Sequence, residues 1–415
     1  MKIIHLSYSD GDGGAGVAAR RLHEYLDLYT EIDSELYVIS KTTFSPAIYR
    51  ISENRCKIII NKILNRISQS IIKLDNFFEG YDAFHYRSLN IFKSDTISKI
   101  NAMEPDIIHL HWINGEMLPI GQLKNLKCKS IFYTLHDSWP FLGTLHHPIN
   151  CNTLSSVQEL VVNKDSLNIN SFLDKYIINK KIESYSVVEP TFIAPSKWMK
   201  DVANISDIGK NYKCEVIPNL IPPAIFEIEK SKNFDSNSIR VGLGAVNAFS
   251  NENKGFNDLL HILKSIPCTN LTFVIFGEST VSSQLLDFYE KGMVEVCGKL
   301  ESDVDIGNFM RSCDFFLTLS RVESFGLTAC EAIANGTPVI SYRTSGLTDI
   351  VVDGVSGYVA EDLDDMLDKI EHLSNITINE YNKISYSSKK HFIDNFSPSD
   401  VVDKHRTIYK KAYNK

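Results

Sequence analysis

Two acidic residues, Glu323 and Glu331, stand eight positions apart in the stretch Glu323-Ser324-Phe325-Gly326-Leu327-Thr328-Ala329-Cys330-Glu331. Gly326 lets the chain turn between them, and Leu327 to Ala334 reads as a helix ended by Asn335-Gly336. The first N–H groups of a helix lack intrahelical partners and favour a phosphate. Acids on either side of such a site suit hydroxyls flanking a diphosphate, so the spacing points to a nucleotide-diphosphate sugar. A second candidate is the loop Asp10-Gly11-Asp12-Gly13-Gly14-Ala15-Gly16, where Gly11, Gly13 and Gly16 spell G-x-G-x-x-G. Such a loop can hold a pyrophosphate against backbone N–H groups. The strand that follows, Glu35 to Ile39, ends on Ser40-Lys41 instead of an acid for a ribose. A lysine there suits a 2′-phosphate, which leaves an NADP-dependent oxidoreductase as an alternative reading.

These groups need a scaffold that brings strand ends together. Ile3 to Tyr8, Glu35 to Ile39, Asp106 to Trp112, Lys129 to Leu135, Thr191 to Pro195 and Cys214 to Ile217 read as strands of a first half. Ile239 to Ala245, Leu271 to Phe276, Val294 to Cys297, Phe315 to Leu319, Val339 to Tyr342 and Gly357 to Val359 read as strands of a second. Helical patterns such as Val17 to Leu28 and Gly255 to Leu263 alternate with them, the mark of parallel sheets. The expected fold class is α/β, with two doubly wound Rossmann-like domains facing a cleft. A chain of 415 residues is also too long for one ordinary core. Pro218, Pro222 and Pro223, then the polar run Glu229 to Ser238, mark a linker. The expected domains are residues 1–222 and 223–395, with a terminal helix in 396–415. Ligands of such sheets sit outside the C-terminal strand ends. That places Lys254, Glu323, His109, His111 and His136 at candidate sites.

The stretch from Glu323 to Glu331 resembles the E-x7-E motif of the retaining glycosyltransferases of family 4, which have the GT-B fold. Gly13-Gly14-Ala15-Gly16 with Arg20-Arg21-Leu22 is similar to that family's N-terminal loop, which faces the cleft near the reacting groups. Thr134-Leu135-His136-Asp137-Ser138-Trp139-Pro140-Phe141 resembles its T-L-H-D-x-W-P-F segment, and Ala194 to Trp198, Ile217-Pro218-Asn219 and Ser341 to Val359 match further positions. The resemblance implies transfer of a sugar from a nucleotide-diphosphate sugar, with retention, no metal and no other cofactor. It implies that Lys254 neutralises the leaving diphosphate and that Glu323 and His136 meet the sugar or acceptor. Glu331, Ser324, Phe325, Gly326, Leu327, Thr328 and Arg321 would line the donor. Members also carry an arginine shortly before the lysine. Val241 to Asn247 and the residues up to Lys254 hold none, so Lys254 acts alone or Arg321 or Arg343 assists. Members often have several cysteines after the T-L-H-D segment; only Cys151 stands here. The acceptor implied is a glycan, lipid-linked, of bacterial surface-polysaccharide assembly of the O-antigen, lipopolysaccharide or capsule type. A non-catalytic nucleotide-sugar-binding protein is a further alternative.

The net charge of −8 is uneven: residues 1–222 hold 24 basic and 24 acidic side chains, residues 223–415 hold 19 and 27. No basic face for nucleic acid is indicated. Eight cysteines without a C-x-x-C pair point to neither zinc nor a disulfide framework, and fit a reducing cytoplasm. The N-terminus is soon too polar for a signal peptide, and no apolar run is long enough to span a bilayer. Arg55 to Leu74 interleaves lysine and arginine with isoleucine. As a helix it suits either the inner-membrane surface, as a peripheral contact, or a core position with one solvated side. Asp10/Asp12 and Asp303/Asp305 spell D-x-D, and His146 adjoins His147, but neither arrangement supplies a matching ligand set for a metal.

Overall fold

The apolar runs of the first half form β1 (Lys2–Ser9), β2 (Asp33–Ser40), β3 (Ile48–Arg50), β4 (Ile107–Leu110), β5 (Ser130–Thr134), β6 (Thr191–Ala194) and β7 (Cys214–Val216). All pair in parallel, in the order β3-β2-β1-β4-β5-β6-β7. Those of the second half form β8 (Ile239–Gly244), β9 (Leu271–Phe276), β10 (Val294–Gly298), β11 (Phe315–Thr318), β12 (Val339–Tyr342) and β13 (Gly357–Ala360). They too are parallel, in the order β10-β9-β8-β11-β12-β13. Strands covered on both faces read as continuous apolar runs, which is why these were legible. The three-residue edge strand β3 was not.

The computed structural model describes residues 1–45, 47–79, 86–148, 171–227, 234–244, 252–266, 270–277 and 280–414. Cys151, residues 229–233 of the polar run and Ala245 to Asn247 lie outside them. Two compact units result. The first holds the described residues up to Leu220 and those from Ser399 onward; the second is Ile221–Pro398. In the first unit Ile3, Leu26, Ile107, Phe132 and Ile193 form a core with Val401 and Tyr409 of the terminal helix Pro398–Tyr413. In the second, Val241, Ile275, Phe315 and Ile340 pack one sheet face against Met366 and Ile370. Val274, Phe316 and Val339 pack the other against Ala329, Ile333 and Phe392. Each side chain so buried contributes about 1.5–3 kcal/mol.

Each sheet has one point where the strand order reverses, between β1 and β4 and between β8 and β11. Chains leave these neighbours on opposite sides, and the crevice beyond their C-terminal ends is where such sheets take ligands. After β1 the chain enters α1 (Gly13–Tyr29). Gly13, Gly14, Ala15 and Gly16 are therefore the first turn of a helix, where a loop up to Gly16 was expected. The physical reason is local. The Ser9 hydroxyl accepts from the N–H groups of Gly11 and Asp12, closing the turn early. A Cβ on Gly16 would stand 2.7 Å from the Ser9 carbonyl oxygen, so only glycine lets the helix start this close to β1.

Candidate functional site

The second unit's switch point gathers the expected donor residues. Lys254 ends a short turn after β8, and Gly255 follows it in a left-handed conformation, φ +70°. A Cβ at Gly255 would lie 2.4 Å from the Leu319 carbonyl oxygen, so glycine alone allows the turn to rest on the end of β11. The N–H of Arg321 donates to the Asn253 carbonyl at 2.8 Å, which ties the two loops together. Lys254 Nζ then meets Glu323 Oε1 at 2.6 Å, joining residues from β8 and β11 loops 69 positions apart. Their side chains are 27% and 21% exposed, so the pair is open to an incoming ligand. The Glu323 N–H donates to Ser345 Oγ, and its carbonyl accepts from the Gly346 N–H at 2.9 Å.

Helix Leu327–Ala334 begins four residues on, with Gly326 as its left-handed N-cap. No side chain caps it and its first turn holds no acid, so its leading N–H groups present a positive end. Ser324 and Thr328 are partly accessible there. Two of the expected donor residues lie deeper. Phe325 is buried against Phe396, leaving only its backbone for a ligand, and Glu331 is 3% exposed. Both follow from the helix packing one face into the core.

Arg321 does not stand ready as a spare cation. Its Nη2 donates to Asp258 Oδ2 at 2.5 Å, the Tyr342 hydroxyl donates to the same oxygen, and the guanidinium lies 5.0 Å from that ring's centre. Burial, then Asp258, pushes the Tyr342 phenol far up. Arg343 Nε donates to Glu361. Both candidates for the missing arginine thus carry their own carboxylate partners.

In the first unit the segment after β5 is fixed from behind. Lys181, wholly buried, donates to the carbonyls of Trp139, Leu142 and Gly143 and sits 3.7 Å over the Trp139 ring. Burial alone would raise the Asp137 carboxyl. His146 Nδ1 at 2.6 Å and the Trp139 N–H hold it below its ordinary value instead. His146 also bonds Ser88 through Nε2, and Trp112 donates to Asp137. His136, Thr134 and His111 line a small recess with Pro218, Asn219 and His405. Burial lowers the His136 imidazole to about 4, with Asp137 acting the other way.

A cluster that adds His5 to the expected His109 and His111 lies beneath it. His5, His109 and His111 offer ring nitrogens within 4.8 Å of one another, spacing a metal would accept. Their bonds disfavour one. His109 is held by the Tyr409 and Thr134 hydroxyls at 2.6 and 2.7 Å, and both His111 nitrogens meet other imidazoles. The parallel pairing of β1 with β4, which sets His5 beside His109, was the signal that could have found it. The D-x-D pairs serve local structure. Asp10 accepts from the N–H and hydroxyl groups of Thr42 and Thr43, and Asp305 forms a capping box with Ser302. Lys41, on which the NADP reading leaned, donates to the carbonyls of Ile48 and Ser45.

Comparison with known proteins accords with this geometry. Residues 228–391 match the model of the family described as glycosyl transferases group 1. An uncharacterized glycosyltransferase of Methanocaldococcus jannaschii is 32% identical over 163 residues, 38% of this chain and 45% of that protein. An uncharacterized 41.2 kDa protein in the cps region of Klebsiella pneumoniae is 28% identical over 222 residues, 52% of this chain and 60% of that one. The chain thus spans about half the length of these curated relatives. Among solved structures, sucrose-phosphate synthase from Thermosynechococcus elongatus aligns with a TM-score of 0.64 at 15% identity, covering 100% of this chain and 99% of its own. HepE of Anabaena in complex with UDP-glucose aligns at 0.61 and 14%, covering 99% and 100%. The fold is therefore that of the GT-B glycosyltransferases, with two Rossmann-like domains.

Proposed function

We propose that this protein is a retaining, metal-independent glycosyltransferase of the family 4 type, moving a sugar from a UDP- or GDP-sugar to a glycan acceptor. The observation that carries the reading is the meeting of Lys254 and Glu323 at the β8/β11 switch point, beside an uncapped helix N-terminus. Departure of the nucleoside diphosphate leaves two negative charges. Lys254 and the N–H groups near Gly326, Leu327 and Thr328 stabilise them, commonly a large catalytic contribution. Glu323, released from Lys254 by the phosphates, bonds sugar hydroxyls and supports positive charge at the anomeric carbon. Glu331 accepts from the ribose. The first unit takes the acceptor, with His136 bonded to a hydroxyl. A role in bacterial surface-polysaccharide assembly, which would make the acceptor a lipid-linked glycan, is in keeping with the cps-region relative.

A melting-temperature panel with UDP, GDP, ADP and NADP⁺ tests this reading. A ligand at 100 times its dissociation constant adds about 2.7 kcal/mol, a visible shift. Stabilisation by one nucleoside diphosphate is expected, and turnover of the corresponding sugar nucleotide then excludes a binding-only protein. A shift with NADP⁺ alone would overturn the proposal.

The same reading extends to where the acceptor is met. Helix α2 (Arg55–Glu79) exposes Ile59, Ile60, Ile63, Ile67, Leu74, Phe77 and Phe78, the last two at 80%. At 100° per residue these share one arc, bordered by exposed Lys62, Arg66 and Lys73. No helix among the described residues is long and apolar enough to cross a membrane. We therefore assign α2 a peripheral contact with an anionic membrane, where each cation adds about 1 kcal/mol. Vesicles with anionic lipid should co-float with the protein, and Phe77→Ser with Phe78→Ser should abolish it. Equal recovery with neutral vesicles, or none with either, would remove the assignment.

A further inference from the structure

Three histidines far apart in sequence form a single hydrogen-bonded chain in the first unit. His5 Nδ1 lies 3.0 Å from His111 Nε2, and His111 Nδ1 lies 2.9 Å from His136 Nε2. The ring centres are 5.3 and 5.2 Å apart, with the rings stacked at 25° in both pairs. His5 and His111 are wholly enclosed, 0% and 2% exposed, midway along β1 and just past β4. His136 is partly accessible, after β5. Burial keeps all three rings neutral at ordinary pH.

Three neutral imidazoles carry three ring protons, one each. Each of the two bonds needs one N–H and one bare nitrogen. If His136 carries its proton on Nε2, it donates to His111 Nδ1. His111 must then be protonated on Nε2, donate to His5 Nδ1, and leave the His5 proton on Nε2. If His5 is protonated on Nδ1, the same reasoning runs outward and ends with the proton on His136 Nδ1. A mixed arrangement sets two lone pairs or two N–H groups against each other and loses a bond. In an enclosed site, with no water to replace it, a lost bond is costly. The three rings therefore share one tautomer. His5 Nε2, the inner end, is buried with no hydrogen-bond partner among the described residues. The outer end, His136 Nδ1, is the one that can reach a ligand.

We propose that His111 and His5 are positioning residues that set, through this chain, which nitrogen of His136 is protonated, and so whether Nδ1 donates to or accepts from a substrate hydroxyl. The inference rests on the reading of His136 as a substrate contact, but its physical core does not. A proton relocated inward by the chain changes the outer nitrogen from donor to acceptor without changing the charge of any ring. A wrong tautomer at a reacting histidine can be costly even when the geometry is intact.

The test uses the full chain with ¹⁵N-labelled histidine. Long-range ¹H–¹⁵N spectra at pH 7.5 without ligand should show one shared tautomer for His5, His111 and His136. In His111→Phe the His136 signals should move to a mixture of both forms. Its kcat for transfer should fall at least tenfold, with KM for the sugar nucleotide nearly unchanged. His111→Phe should cost nothing further when added to His136→Ala. If His111→Phe fails to fold, His111→Ala gives the same readout, since it too removes the ring that links His136 to His5. Unlike tautomers in the native protein, an unmoved His136 in a folded variant, or fully additive losses in kcat would each overturn the proposal. A linked chain in a protein that turns over no sugar nucleotide would instead sink the glycosyltransferase reading and leave the tautomer coupling standing.

Discussion

Replacing Lys254 with alanine is expected to lower the kcat of sugar transfer about 10²–10³-fold, the usual loss when a preorganised group facing developing charge is removed. The size of the effect follows from what surrounds the lysine. Arg321 is bound to Asp258 and Arg343 to Glu361, so neither is released to replace it without exposing a carboxylate. Glu323 loses the Lys254 ammonium in the variant, which leaves its negative charge beside the place the diphosphate must take. Stability should change little, because a partly exposed pair of this kind is worth roughly 0–1 kcal/mol. Lys254→Arg keeps the charge and should recover part of the activity. Steady-state kinetics with the nucleotide sugar found by the melting panel, read beside the melting temperature, decide the matter. Transfer within threefold of the native rate would show that the diphosphate is neutralised elsewhere.

A second large effect is expected from acid. Burial holds His5, His109, His111 and His405 below the ordinary imidazole range, the last at about 3. In the unfolded chain they protonate near pH 6.5. The sign follows directly. Above that pH both states are neutral and the histidines contribute no difference. Below it the unfolded state binds protons that the folded state refuses, so stability falls as pH falls. Four such groups give a slope of about 5 kcal/mol per pH unit. Asp137 and Asp10, whose carboxyls are held low in the fold, act in the same direction further down. The first unit should therefore unfold cooperatively between pH 6 and 4, starting well above the carboxylate range. Circular dichroism against pH measures this, and His405→Phe should flatten the slope by about a quarter. A melting temperature unchanged from pH 7 to 5 would show that water reaches the cluster.

The sequence and the structure agree where one interaction dominates. The helix expected over Leu327 to Ala334 has those bounds, since glycine before it and Asn335-Gly336 after it leave little choice. β9 and β12 likewise match the apolar runs Leu271 to Phe276 and Val339 to Tyr342. The strand order of each sheet follows the doubly wound expectation. What could not be read depends on pairings between distant segments. Nothing near Arg321 announces that Asp258 will take its charge. Nothing near Phe325 separates a ring that lines a ligand from one that meets Phe396. The start of α1 was misjudged because glycines argue against helix, while the Ser9 hydroxyl and the tight fit of Gly16 overrule them. That His5 and His405 join the histidines named from the sequence could not be read for the same reason: the members come from β1, β4, the end of β5 and the terminal helix.

That terminal helix also sets the order in which the protein can be finished. Tyr409 packs on Phe132 and bonds His109, while Val401 and Val402 enter the core begun by Ile3 and Ile107. During synthesis these partners leave the ribosome only after the whole of Ile221–Pro398. At 5–20 residues per second that is a wait of roughly 10–40 s with a row of buried histidines still uncovered. The second unit, whose described residues all lie within Ile221–Pro398, can complete itself meanwhile. The nascent first unit is thus the part that stays incomplete longer, and a ribosome that stops near residue 397 releases a second unit tethered to an unfinished first.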